Sequence, residues 1–338
     1  LGLFMQLKKV VFPVAGHGSR FLPATKATPK EMLPVVDKPL IQYAVEEAID
    51  AGFTELIFIT GKTKRGIEDH FDASLNLNVS NITESKKKLF DKMNCIIPSH
   101  ISCTYIDQEE PLGLGHAILQ AKPIIGNEPF AVILADDLID SKKGVIKQMV
   151  EQYVDMNSSI ISVQHIEKKD SIHYGMIDTD ISDENMRKIT GIIEKPSPAN
   201  SPSSFGVVGR YIFSNQILSF IETIGFGTGN EIQLTDAIKK MIATQPVFAY
   251  EFINLIVQEV NNVARVKDLN ESRLSLEYFN NQIGTTQQMN IKSSINTLIE
   301  SHLKTQMLAN VRTDYLLTPI DSAYVPELKS YPKRSLIC

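Results

Sequence analysis

The chain has 338 residues, 43% of them apolar and 22% charged, with a formal net charge of -5. That supports one large or two ordinary hydrophobic cores and offers no basic surface for nucleic acid. No run of eighteen apolar residues occurs, so no membrane-spanning helix is expected. Cys95, Cys103 and Cys338 are too few for a disulfide framework and read as reduced thiols. The first residues lack the order of a secretory signal, and the expectation is a cytoplasmic globular enzyme or binding protein.

In chain order, Lys8 to Val14 is a short valine-rich run that reads as a buried strand. Pro39 to Ala51 places Leu40, Ala44, Val45, Ala48 and Ile49 on one helical face, with Gly52 as the stop. Glu55 to Thr60 is a second buried strand. Further strands are expected at 102–108, 130–135, 159–164, 188–194, 206–213 and 247–252. Helices are expected near 64–72, 84–94, 114–121, 143–156, 214–223 and 231–243. The alternation predicts an α/β fold: a Rossmann-like, mostly parallel sheet with helices on both faces. Such sheets bind ligands beyond the carboxyl ends of their strands. From about Ile253 the texture changes. Residues 253–310 read as a helical segment, with Ile295, Leu298, Ile299 and His302 at helical spacing, and residues 311–338 as an irregular tail with Pro319, Pro326 and Pro332.

The first strand opens into Gly16-His17-Gly18. Glycines there let the backbone approach a ligand, and successive N–H groups can cradle phosphate oxygens. Arg20, Lys26 and Lys30 add charge suited to a polyphosphate. A bare G-x-G is more often a plain turn with solvated lysines. The longer pattern here, G-x-G-S-R-x-x-P-x-T-K-x-x-P-K-E-M, is far more specific. It is neither the P-loop pattern nor the dinucleotide fingerprint.

Gly16 to Met32 resembles the signature of bacterial sugar-1-phosphate nucleotidyltransferases, and within them the enzymes that join UTP to glucose 1-phosphate. "LPVVDKPLIQYAVEEAIDAG", "GLGHAIL", "FAVILADDLI", "YGMID", "GIIEKP", "VGRYIF" and "GNEIQLTDAI" continue the resemblance in order over residues 8–252. The resemblance implies a catalytic domain over those residues, Mg²⁺ as cofactor, and UTP and glucose 1-phosphate as partners. It implies neither nucleic acid nor membrane. In the family the C-terminal helices commonly make dimer contacts, so a homo-oligomer is one expectation.

Residue by residue, the resemblance implies that Arg20 and Lys30 grip the triphosphate or the leaving pyrophosphate. Ala15, Gly16 and Gly18 offer backbone to the nucleotide, and Gln108 and Gly113 meet the uracil. Asp136, just past a buried strand, is the expected metal ligand, with Asp137 a register alternative and helix capping the bland one. Gly175 and Glu194 face the sugar, and Lys195 its phosphate. Glu231 has no assigned contact. His17, His116 and His173 read as incidental, because the displacement needs no proton transfer.

The pattern breaks after Phe252. Family members continue with Asp-Cys-Gly, whose aspartate is a second metal ligand, whereas this chain reads "INLIVQEVNNVARV". Three readings stay open: a binding homologue without turnover, an altered C-terminal segment, or a substitute ligand. The candidate substitute is Asn262 or its neighbour Asn261, by a faint resemblance to a related uridylyltransferase stretch. A dTTP-using thymidylyltransferase is the alternative within the class.

Overall fold

The computed structural model describes residues 7–16, 18, 22–26, 28–61, 64–72, 96–139, 141, 143–180, 186–252, 269–279, 281–283 and 289–311. The expected helix at 84–94, Arg20, His17, Asn261, Asn262 and the tail from 312 lie outside them. Two compact units divide the chain: Leu1–Leu138 with Lys142–Ile253, and Ile139–Ser141 with Asn254–Cys338.

The first unit is built on a nine-stranded sheet. Its strands are β1 (Lys9–Pro13), β4 (Glu55–Thr60), β5 (Ser102–Asp107), β6 (Phe130–Ile133), β7 (Ser159–His165), β8 (Gly175–Thr179), β9 (Met186–Glu194), β10 (Phe205–Phe213) and β11 (Val247–Glu251), while β2 (Pro34–Val35) and β3 (Lys38–Pro39) form a separate small hairpin. The order across the large sheet is β5-β4-β1-β6-β10-β7-β11-β9-β8. The expected parallel arrangement runs from β5 through β6 and recurs between β7 and β11. β10 enters antiparallel to both β6 and β7, and β8 and β9 pair antiparallel. An apolar run is the same read in either direction, so burial alone does not foretell this reversal.

Helices cover both faces, as expected. The described helices of this unit are α1 (Leu40–Asp50), α2 (Arg65–Phe71), α3 (Leu114–Gln120), α4 (Lys122–Ile125), α5 (Val145–Met156), α6 (Gln216–Thr223) and α7 (Leu234–Ile242). On one face Val11, Ile57, Ile59, Val132 and Val163 pack with residues of α3, α6 and α7 in one buried cluster. Side chains alternate along a strand, so Val10, Phe12, Leu56 and Phe58 are buried on the opposite face. There Phe12 stacks on Phe58 at 5.0 Å, and Phe58 on Phe71 of α2 at 5.5 Å.

A buried ion pair ties that face together. Arg210, on β10, donates to Glu47 Oε2 of α1 through Nε at 2.9 Å and Nη2 at 2.8 Å. Its Nη1 donates to Leu134 O and Gly209 O, while Glu47 Oε1 accepts the Ile146 N–H at the start of α5. Each guanidinium nitrogen and both carboxylate oxygens thus have a partner, the condition under which a buried charge is tolerated.

The second unit contains a helix over 269–279, α8, and the helix Met289–Val311, α9. The Phe279 ring lies 5.8 Å from His302 and 5.7 Å from Tyr278. Of the apolar spacing noted in sequence, Ile295 is buried whereas Leu298 is exposed.

Candidate active site

Four adjacent strands run parallel, so their carboxyl ends open on one edge. β1 delivers Ala15 and Gly16 there, β4 delivers Gly61, β5 delivers Gln108, and β6 delivers Asp136. A cleft of about 420 Å³ lies at that edge, lined by Ala15, Gly16, Lys30, Gln108, Gly113 and Asp136 among others. A Cβ added at Gly16 would meet nothing within 4 Å. The floor of the cleft is therefore bare backbone with free space above it.

The chain leaving β1 folds back on itself. Gly18 has φ +60°, and its carbonyl accepts the Thr25 hydroxyl at 2.7 Å. A Cβ on Gly18 would stand 3.3 Å from the Lys30 side chain, so this glycine serves close approach as well as its left-handed backbone. Lys26 is exposed and does not line the cleft.

Lys30 Nζ reaches across to Asp136 Oδ2 at 2.5 Å. Burial alone would depress the lysine pKa, but the Asp136 charge and hydrogen bond, with Glu31 and Asp137 behind, lift it above its ordinary value. Asp136 keeps a side chain 42% open. Its neighbour turns inward: Asp137 Oδ2 accepts the Gly209 N–H at 2.8 Å. Burial and the Asp136 charge push the Asp137 pKa up, against the pull of Arg210 and the Gly209 amide. Of the two neighbours, Asp136 lines the cleft and Asp137 braces β10. Neither caps a helix, since α5 begins only at Val145.

Behind the glycine loop lies a pair that sequence reasoning missed. Lys64 Nζ donates to Glu31 Oε2 at 2.8 Å and also to the carbonyl of Val14. Both side chains are buried. Burial lowers the Lys64 pKa, and Glu31 works against that. Val14 and Glu31 are the two ends of the loop carrying Gly16, Gly18 and Lys30, so one ammonium pins both. A lysine in "TGKTKRG" reads as solvated, and no local signal reveals its burial.

Gln108 is buried. Its Nε2 lies 3.5 Å from Gly113 O and 2.8 Å from His116 Nδ1. Gly113 has φ +104°, and a Cβ there would sit 2.8 Å from Glu231 Cβ. The loop 231–232 packs against it, with Ile232 N donating to Leu112 O and Gly115 N to Ile232 O. Glu231 lines the cleft and accepts from Gln233 Nε2 at 3.2 Å. It stands three residues ahead of α7 instead of opening it.

Gly175, Glu194 and Lys195 form a second group that does not line that cleft. Gly175 pairs with Glu194 across β8 and β9. Lys195 has φ +44° and is held by its N–H on Tyr174 O at 3.0 Å, and its Nζ stands 3.4 Å from Glu194 Oε1. A non-glycine residue in that backbone region persists only where its surroundings hold it. Beside Gly175, Thr235 Oγ1 is buried with no hydrogen-bond partner among the described residues. Tyr211, on β10, feels charge from both groups. Its hydroxyl pKa is raised by burial first, then by the charges of Asp137, Glu194 and Asp136.

A parallel sheet with a glycine-rich first exit, a cation-rich loop and an acid past the neighbouring strand defines a nucleotide-binding α/β protein. Residues 9–256 match the nucleotidyl transferase family, and the chain belongs to it. More narrowly, it is 45% identical over 247 residues to a UTP–glucose-1-phosphate uridylyltransferase of Staphylococcus epidermidis, covering 73% of this chain and 85% of that protein. It is 44% identical to the protein of the same name from Bacillus subtilis, covering 73% and 84%. Among solved structures it resembles a UDP-glucose pyrophosphorylase complexed with UDP-glucose, with a TM-score of 0.67 and 41% identity over 74% of this chain and 92% of that one.

Proposed function

We propose that the chain joins UTP to glucose 1-phosphate, forming UDP-glucose and pyrophosphate. The observation that carries this reading is the convergence of Ala15, Gly16, Gln108, Lys30 and Asp136 on one cleft, on a chain similar to enzymes named for that reaction. A phosphate oxygen of glucose 1-phosphate attacks the α-phosphorus, the bond from that phosphorus to its bridging oxygen breaks, and pyrophosphate leaves. Such transfers need alignment and charge neutralisation more than covalent help from the protein.

In this reading the backbone at Ala15, Gly16 and Gly18 meets the nucleotide, and Gln108 and Gly113 meet the uracil. Lys30 and Arg20 take charge from the triphosphate and the leaving group. Gly175 and Glu194 receive the sugar, and Lys195 its phosphate. The domain responsible spans residues 8–252, with the segments 253–310 and 311–338 appended.

The acid available suits Mg²⁺, which takes one or two carboxylates and completes its shell with phosphate oxygens and water. Asp136 is open to the cleft, and Lys30 is its hydrogen-bonded partner among the described residues. No group of three or more such ligands gathers among the described residues, so substrate oxygens would supply most of the shell. Asn262 is the candidate second ligand. When bound, the ion offsets the triphosphate charge and draws electron density from the α-phosphorus. A cytoplasmic setting fits Cys103, which is a free thiol.

The missing Asp-Cys-Gly favours a second reading, a homologue that binds nucleotide sugar without turnover. Pyrophosphate release from UTP and glucose 1-phosphate decides between them. Release that needs both substrates and stops without Mg²⁺ is the expected result. Binding of UDP-glucose with no release would establish the second reading, and faster release with dTTP would reassign the base.

A further inference from the structure

We infer that His116 is a positioning residue that fixes the amide of Gln108 in the orientation that selects uracil over cytosine. The inference rests on the uridylyl reading above, in which Gln108 faces the base.

The argument starts from the hydrogen bonds of two glutamines. His116 Nδ1 lies 2.8 Å from Gln108 Nε2, and His116 Nε2 lies 3.1 Å from Gln120 Nε2. A neutral imidazole carries one N–H and one lone pair, so it cannot accept from both amides. One glutamine must therefore turn its oxygen to the ring, and which one is a matter of assignment from the network. Gln108 is held the way it stands by a second acceptor, the Gly113 carbonyl at 3.5 Å. Gly113 itself is pinned by its left-handed backbone and its packing on Glu231 and Ile232. Gln120 has a tie of similar length, 3.4 Å to His116 O, but it is only partly buried, so an N–H it gives up on turning over can meet water, whereas one given up by the buried Gln108 stays unpaired. The consistent solution puts the ring proton on Nε2, with Gln120 giving its oxygen, and leaves Nδ1 to accept from Gln108.

The consequence lies at the free end of that amide. With Nε2 held by Gly113 O and His116 Nδ1, Gln108 Oε1 has no partner among the described residues. An oxygen there accepts the N3–H of uracil. Cytosine presents a lone pair at N3, and two acceptors face each other. An amide free to turn over would offer its NH₂ to cytosine N3 and lose the distinction. Sites that read a base through a hydrogen bond reject a wrong partner because a buried polar group is left unpaired. His116 touches no reacting atom in this scheme. It acts on the base through Gln108.

The test is equilibrium titration of the full chain with UTP and with CTP. It compares the unmodified protein with His116→Phe, His116→Asn and Gln108→Leu, with melting temperatures checking that each is folded. His116→Phe should reduce the preference for UTP over CTP by at least about tenfold. His116→Asn should keep most of the preference, because its Oδ1 can take the place of Nδ1. A purely structural histidine would lower stability without changing the ratio. Retention of the full preference in His116→Phe, alongside its loss in Gln108→Leu, would overturn the inference. Retention in Gln108→Leu as well would overturn the placement of the base itself.

Discussion

Asp136 and Asp137 are neighbours in sequence with opposite surroundings. Asp136 stands open beside Lys30, whereas Asp137 accepts the Gly209 amide at 2.8 Å. Removing them should do different things. Asp136→Ala should abolish Mg²⁺-dependent turnover with only a small loss of stability, because the Lys30 ammonium that loses its carboxylate partner is still about a quarter exposed to water. Asp137→Ala strands the Gly209 N–H and should cost about 1–3 kcal/mol of stability, read from denaturant midpoints. Loss of stability in the first variant and not the second would reverse the two roles. Asp136, Gln108 and Gly16 were legible because each ends an apolar strand run, where a polar or glycine residue has a positional meaning. Lys64, Glu31 and His116 were not legible. Their importance comes from partners 50, 33 and 8 positions away, and lysine, glutamate and histidine look alike in sequence whether solvated or paired.

At the scale of elements, the strands of the parallel half were read well because burial on both faces leaves continuous apolar runs. The short β8, which pairs with β9 and carries Gly175, was missed, as was the β2–β3 hairpin. β8 is five residues long with Met176 and Ile177 buried side by side, and the hairpin has two residues per strand, so neither leaves a periodic signal. The antiparallel entry of β10 was also missed, because register and direction are set by pairing and not by composition. α2 offers a test of the packing described. Burial holds His70 below its ordinary pKa of 6.5, beside Gln42 and against Phe71. At mildly acid pH the unfolded chain then binds a proton that the folded one does not, so stability rises with pH in that window. It should fall as pH drops below about 6.5 and level off once the folded histidine also charges. Denaturant midpoints at neutral pH and near pH 5 should differ more for the unmodified chain than for His70→Gln. Equal differences would mean that His70 is not held neutral by the fold.

For the molecule as a whole, the sheet gathers the ends of four parallel strands at one edge, and β10, antiparallel beside β6, also pairs with β8, which carries β9. In the proposed reading, one half supplies bare backbone, cations and an open acid to a triphosphate. The other supplies Glu194 and Lys195 beside Gly175. The resemblance seen in sequence covers that unit and stops near residue 252, where the described strands also end. The account turns on where the nucleotide sits, and a crystal structure of the chain soaked with UTP and Mg²⁺ measures that most directly. The uracil should lie within hydrogen-bond distance of Gln108 Oε1, with the α-phosphate above Gly16 and the triphosphate drawing Lys30 from Asp136. Nucleotide bound away from that cleft, with the Lys30–Asp136 pair untouched, would contradict the account.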